Sequence, residues 1–100
     1  MFAVDSISGK TIRLPDERWV HIVERHPEMA GHLEEVLLAV ATPDFVLKGG
    51  DDELLAVMPL SENKWLVAVY KENSADGFVI TAYITGKTEK LFKREILWQK

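Results

Sequence analysis

The tripeptide Arg25-His26-Pro27 places an imidazole between two helix-like segments. Proline disfavours helical backbone at the residue before it, so a helix that includes Arg25 should end at His26. The C-terminus of a helix is its negative end and attracts cations. Histidine is also the side chain that most readily gains and loses a proton near neutral pH. His26 is therefore the first candidate for proton transfer, and His21 is the second.

Three polar side chains on two predicted neighbouring strands form another set of candidates. Side chains alternate between the faces of a strand, so Thr81 and Tyr83 share a face, and Lys71 of the preceding strand joins them. One ammonium and two hydroxyl groups suit a phosphate group. The same alternation places four residues of the last strand beneath the helices: Phe78, Ile80, Ala82 and Ile84.

Each candidate also has an ordinary structural explanation. His26 would then cap a helix with its ring against Trp19 or a sheet residue, and His21 would be a solvated partner of Glu24 or Glu17. Threonine and tyrosine are common in strands, and a lysine such as Lys71 often protects a sheet edge. A spacing of five residues does not place two imidazoles on one helical face, so we predict no metal site. No glycine-rich phosphate loop or other cofactor motif is present, and we predict no cofactor.

Composition indicates a single globular domain over residues 1–100. Hydrophobic residues make up 47% of the chain and charged residues 28%, which is typical of folded proteins. The start of the chain lacks the features of a signal peptide, no apolar run is long enough to span a bilayer, and there is no cysteine. We therefore expect a cytoplasmic protein without membrane contact.

The charge of the chain is unevenly distributed. The net charge is −4, which argues against general binding of polyanions. Residues 85–100 nevertheless hold five basic and two acidic side chains, a net +3, so residues 1–84 carry −7. We therefore expect residues 85–100 to form a local basic face.

Hydrophobic periodicity predicts two helices followed by four strands. The first helix begins after Pro15, and the second begins at Pro27 and ends before Thr42-Pro43-Asp44. The strands are separated by turn-forming residues. Their predicted bounds are Phe45–Lys48, Leu54–Pro59, Trp65–Lys71 and Phe78–Thr85.

These elements predict an α+β fold of two layers, in which two N-terminal helices cover one face of a four-stranded antiparallel sheet. Nothing in the spacing demands a long crossover, so a meander is the simplest topology. Phe2–Val4 and Thr11–Leu14 are expected as short extended pieces, and Glu89–Trp98 as a terminal helix or extended tail.

The order of these features resembles the phage-associated branch of the Barnase–EndoU–colicin–RelE (BECR) nuclease superfamily. The resemblance covers residues 11–98 and is carried by Glu24-Arg25-His26-Pro27, the second helix, and strands that end in Ile80-Thr81-Ala82-Tyr83. It implies a compact, metal-independent ribonuclease domain of toxin–antitoxin systems and prophages. By matching positions, it implies His26, His21, Thr81 and Tyr83 as catalytic residues, with Arg25 and Lys71 as the cations that bind substrate.

The function predicted from these residues is an RNA endonuclease that works by transphosphorylation. A ribose 2′-hydroxyl attacks the adjacent phosphate, while side chains transfer protons and stabilise charge. The partners would be RNA, whether messenger RNA, transfer RNA or ribosome-bound RNA, and a neutralising antitoxin or immunity protein. The alternative is a noncatalytic protein-interaction module on the same fold, with Trp98 as an interface residue unless it completes the core.

Overall fold

The structure, a computed structural model, describes residues 1–100 and contains seven strands, three α-helices and one 3₁₀ turn. Both the two-helix region and the strand-rich region lie where periodicity predicts them. The elements in chain order are β1 (Phe2–Asp5), β2 (Thr11–Leu14), α1 (Asp16–Arg25), the 3₁₀ turn (Pro27–Met29), α2 (Leu33–Ala41), β3 (Phe45–Lys48), β4 (Leu54–Ser61), β5 (Lys64–Glu72), β6 (Asp76–Thr85), α3 (Thr88–Leu91) and β7 (Ile96–Gln99).

All seven strands form one mixed sheet in the order β1-β2-β6-β5-β4-β3-β7. The fold is α+β, but the predicted four-stranded antiparallel sheet is wrong. The extended N-terminal pieces form a hairpin that joins the sheet through a parallel pairing of β2 with β6. The predicted C-terminal tail contains α3 and then β7, which pairs with β3. Both additions join residues far apart in sequence, so neither has a local signature.

The region predicted as one second helix is divided by Gly31. Pro27–Met29 form a single 3₁₀ turn, and α2 begins only at Leu33. Gly31 has a φ of 84°, a left-handed conformation that glycine adopts without the steric cost of a Cβ. Met29 is still fully buried, because the turn directs it into the same core as the helices.

Hydrophobic clusters cover both faces of the sheet. On one face, α1 and α2 bury a core that includes Ile22, Val40 and Leu66. On the other face, Leu91 of α3 and the neighbouring Phe92 pack against a smaller cluster that includes Val67. The sheet is therefore covered by helical segments on both sides, rather than on one side as predicted.

A β-bulge in β6 changes which side chains of this strand face the helices, compared with the predicted alternation. Val69 pairs with Thr81 but Tyr70 pairs with Val79, so Ile80 is an extra residue without a partner. Ala82 and Ile84 lie on the helix-covered face, as predicted. Before the bulge the faces exchange: Val79 enters the core beneath the helices, whereas Phe78 and Ile80 do not. The prediction was wrong for Phe78 and Ile80 because a bulge shifts every preceding side chain to the opposite face.

Polar contacts fasten the N-terminal hairpin to the rest of the sheet. Arg13 of β2 donates a hydrogen bond to Asp76 of β6, which lowers the pKa of that carboxyl. The Lys10 ammonium donates to the backbone oxygen of Asn73 at 2.7 Å. The hairpin is thus part of the folded domain. None of the helices is long and apolar enough to cross a membrane.

Candidate functional site

His26 lies between α1 and the 3₁₀ turn and is held there through its backbone. Its N–H donates to the Ile22 oxygen at 2.8 Å, and its own oxygen accepts from the Met29 N–H at 2.8 Å. Because Ile22 and Met29 are both buried, the core determines where the histidine backbone lies. As predicted, α1 ends at Arg25 and His26 is its C-terminal cap.

The imidazole of His26 is partly exposed and has one carboxylate beside it. Its Nδ1 lies 3.6 Å from Oε2 of Glu28, and neither ring nitrogen forms a hydrogen bond within the protein. The side chain is 34% exposed. A partly exposed imidazole with a carboxylate near one ring nitrogen is a candidate for proton transfer.

Tyr83 approaches this imidazole from β6. The two ring centroids are 6.0 Å apart with an angle of 38° between the planes. The contact is possible because β2 pairs only with Asp76–Phe78 of β6, which leaves the edge of residues 79–85 without a strand on that side. The 3₁₀ turn packs against β6 and brings His26 around the sheet edge. A half-buried phenol and an imidazole therefore share one wall of a cleft.

Burial raises the pKa of Tyr83, and the nearby Arg94 cation partly opposes that rise. The phenol is consequently protonated at neutral pH and has a proton to donate. A nearby cation such as Arg94 favours the ionised form of the phenol.

Four cations from α3 and the residues around it line the same cleft, which has a volume of about 690 Å³. None of them forms an ion pair, although one guanidinium nitrogen of Arg94 lies 3.4 Å from the backbone oxygen of Lys48. The cleft thus combines an imidazole, a phenol and unpaired positive charge. The cations are Lys87, Lys90, Lys93 and Arg94.

An aromatic trio beneath α3 holds this basic segment against the sheet. Phe92 packs edge-on against Phe45 at 4.9 Å and against Trp65 at 5.1 Å between ring centroids. The indole N–H of Trp65 also donates to the Thr88 hydroxyl at 3.2 Å. The position of the cations therefore depends on contacts to the sheet, since a helix of four residues is not stable by itself.

The structure brings together two of the six residues that the sequence singled out. His26 and Tyr83 line the cleft. Thr81 lies on the same sheet face as Tyr83 and pairs with Val69 of β5, but it does not line the cleft.

The other three predicted residues lie outside the cleft. Tyr83 pairs with Val67 of β5, whereas Lys71 of the same strand pairs with Phe78. Lys71 is therefore four residues along β5 from the partner of Tyr83, a distance of about 13 Å. His21 and Arg25 are exposed on α1. Nδ1 of His21 lies 3.8 Å from Glu24, which matches the solvated alternative.

Sequence reasoning missed Glu28 and assigned no role to the individual cations of residues 87–94. The net charge of +3 in residues 85–100 was the available signal, but it did not show that this segment would reach His26. No group of three or more His, Cys, Asp or Glu side chains is arranged to hold a metal ion.

The arrangement can bind an anion, move a proton at the imidazole and donate a hydrogen bond from the phenol. These are the requirements of phosphoryl transfer without a bound cofactor. Neither a family model, nor a curated protein, nor a solved structure matches this chain.

Proposed function

We propose that this protein is a metal-independent RNA endonuclease that cleaves by transphosphorylation. The single observation that carries the proposal is the meeting of His26, Tyr83 and four unpaired cations in one cleft. A phosphodiester matches the charge of the cleft, and the neighbouring ribose supplies a hydroxyl for the imidazole to deprotonate. The BECR resemblance of the sequence agrees with this activity.

In the proposed reaction, His26 removes the proton of a ribose 2′-hydroxyl. The 2′-oxygen then forms a bond to phosphorus, and the bond from phosphorus to the 5′-oxygen breaks. The Tyr83 phenol gives its proton to the departing 5′-oxygen, and Arg94 stabilises the phenolate. The His26 imidazolium then releases its proton to solvent, and solvent returns a proton to the phenolate. The products are a 2′,3′-cyclic phosphate and a free 5′-hydroxyl.

The lysines of the cleft would stabilise the charge that develops on the non-bridging phosphoryl oxygens. Each correctly placed proton-transfer group contributes a rate factor on the order of 10²–10⁴. Glu28 would orient the imidazole through Nδ1, which leaves Nε2 for the substrate.

The cellular setting is part of the same proposal. A toxin-like or prophage-associated ribonuclease would act on cytoplasmic RNA, on transfer RNA or on ribosome-bound RNA, and a neutralising antitoxin or immunity protein would control it. The overall charge of −4 favours a selective enzyme over one that degrades RNA without preference.

The test is cleavage of total cellular RNA by the purified protein in excess chelator. We expect cleavage by the parent, a loss of at least about 100-fold in His26→Ala, and cyclic phosphate ends on the products. His21→Ala is the matched control, because His21 lies on α1, the helix that His26 caps, but outside the cleft. Equal rates for His26→Ala and the parent would contradict the proposal, as would cleavage that depends on added metal.

A noncatalytic interaction module is the second candidate function. Three neighbouring apolar residues of β7, Ile96, Leu97 and Trp98, are 36–46% exposed at an edge of the sheet. Trp98 does not complete either core cluster. A folded parent that cleaves neither free nor ribosome-bound RNA would favour this function.

A further inference from the structure

A second hollow adjoins the cleft and shares three of its lysines. It has a volume of about 470 Å³ and is formed by Gly86, Lys87, Thr88, Glu89, Lys90 and Lys93. Lys87, Lys90 and Lys93 also line the cleft that contains His26. The two hollows are therefore neighbouring parts of one positively charged surface.

The lysines that join the hollows are available to a ligand. All three are exposed, and none forms an ion pair with a carboxylate. Glu89 is the only acidic residue among the six that form the second hollow. A surface with this excess of cations attracts more than one phosphate.

The two hollows differ in what else they contain. The cleft has the imidazole and the phenol, together with apolar surface from Ile84 and Leu91. Its volume suits a group about the size of one nucleotide. The second hollow has no aromatic or apolar side chain, so it can bind an anion but has no imidazole or phenol for proton transfer.

We propose that the protein binds RNA as a single strand through at least two consecutive phosphates. The reacting phosphate lies beside His26, and its neighbour lies over the second hollow on the shared lysines. This inference rests on the proposed function for its choice of RNA. An acidic peptide would match the lysines equally well, but only a nucleotide also presents a ribose hydroxyl to His26 and a base to the His26–Tyr83 pair.

The test measures binding of 2′-O-methyl oligouridylates, which lack the attacking hydroxyl and are not cleaved. UpU has one phosphodiester, UpUpU has two, and a tetra-aspartate peptide serves as the protein-like polyanion. We expect UpUpU to bind about tenfold more tightly than UpU, because it adds one charge-assisted contact. The dependence of log K on log salt concentration should steepen by about 0.7 for that additional phosphate.

Glu89→Gln locates the second phosphate. This change removes the only negative charge of the second hollow. Because Glu89 lines that hollow and not the cleft, the change should tighten UpUpU by about threefold and UpU by clearly less at about 0.15 M salt. Glu34→Gln is the matched control, because Glu34 also occupies the first turn of a helix but lies on α2, beyond the cleft and the hollow.

Several results would overturn the inference. These are equal affinities and salt slopes for UpU and UpUpU, an effect of Glu89→Gln that does not depend on length, tighter binding of the peptide than of UpUpU, and no binding of any oligonucleotide. Failure of this inference can be distinguished from failure of the proposed catalytic function. An inactive RNA-binding domain would show the length dependence with the 2′-O-methyl probes but would not cleave unmodified UpU or UpUpU. A nuclease with one phosphate site would cleave the unmodified UpU and UpUpU equally well.

Discussion

His26 is positioned by its backbone, and this has a consequence for its substitution. The N–H and the carbonyl oxygen of His26 are both hydrogen-bonded to buried segments, whereas its ring has one carboxylate neighbour and otherwise borders the cleft. Removing the ring therefore leaves the C-terminal cap of α1 intact. The loss expected for His26→Ala is a loss of activity with little change in the free energy of unfolding.

The two tyrosines of the chain should both titrate at unusually high pH. Tyr70 is buried beneath the helices, and burial raises its pKa far above the ordinary value of about 10. Burial also raises the pKa of Tyr83. Near-ultraviolet absorbance of phenolate should therefore show no tyrosine that ionises near pH 10 in the folded protein. After unfolding in denaturant, both tyrosines should ionise near pH 10. A folded-state titration of one tyrosine near pH 10 would contradict this expectation.

These raised pKa values also determine how stability depends on alkaline pH. On passing pH 10, the unfolded chain releases its phenolic protons before the folded chain does, so high pH favours unfolding. The corresponding stability is complete below about pH 10 and is lost as the pH rises through the raised values. Tyr83→Phe should reduce this dependence but leave the contribution of Tyr70. It should also lower the cleavage rate by about 100-fold, because it removes the proposed proton donor.

Phe92 connects the basic segment around α3 to the sheet. Its ring packs on Phe45 and Trp65, and the adjacent Leu91 is buried in the same cluster. Since α3 has only four residues, these contacts determine where Lys90 and Lys93 lie. Phe92 is thus a positioning residue and does not itself line the cleft.

We expect Phe92→Ala to weaken RNA binding more than it affects the proton-transfer step. The substitution should destabilise the protein by about 2 kcal/mol, below the range for a fully buried phenylalanine because Phe92 is only half-buried. In cleavage assays KM should rise about tenfold with a smaller change in kcat, since the cations would no longer converge on the cleft.

Phe92→Leu should restore most of the affinity by filling the same space. Phe78→Ala is the matched control, because Phe78 is 40% exposed and lies before the β6 bulge, away from the trio. If Phe92→Ala lowered kcat as strongly as His26→Ala but left KM unchanged, the positioning role would be refuted.

The seven-stranded sheet depends on a close approach of the N-terminal hairpin to β6 at Gly77. Ile12 of β2 pairs with Gly77, which in turn pairs with Glu72 of β5. A Cβ at this position would collide with the Lys71 carbonyl oxygen and would lie 2.8 Å from Cδ1 of Ile12. No side chain fits there without movement of the backbone.

Gly77→Ala should therefore destabilise the whole molecule by about 2–4 kcal/mol, measured by denaturant unfolding. Gly50→Ala is the control, because a Cβ at Gly50 would have no heavy atom within 4 Å. If the hairpin detached independently, Gly77→Ala would expose β1 and β2 to hydrogen exchange while the other strands stayed protected. Equal stability of the two variants would argue against this close approach in solution.

Local patterns in the sequence determined most of the secondary structure. Proline at position 27 ends α1 at Arg25, and the predicted strand Phe45–Lys48 has the bounds that the structure gives it. The other three predicted strands fall within longer observed strands. These features depend on residues close together in the chain, through steric restriction before proline and through side-chain alternation.

The tertiary structure alone decided the sheet order, the β6 bulge and the membership of the candidate site. The pairings of β2 with β6 and of β3 with β7 join distant segments, and only the packing of the entire core selects them. The sequence contained both His26 and a basic C-terminal segment, but no local signal related them. They meet because the aromatic trio holds α3 on the sheet face that carries Tyr83, while the open edge of β6 admits the 3₁₀ turn after His26.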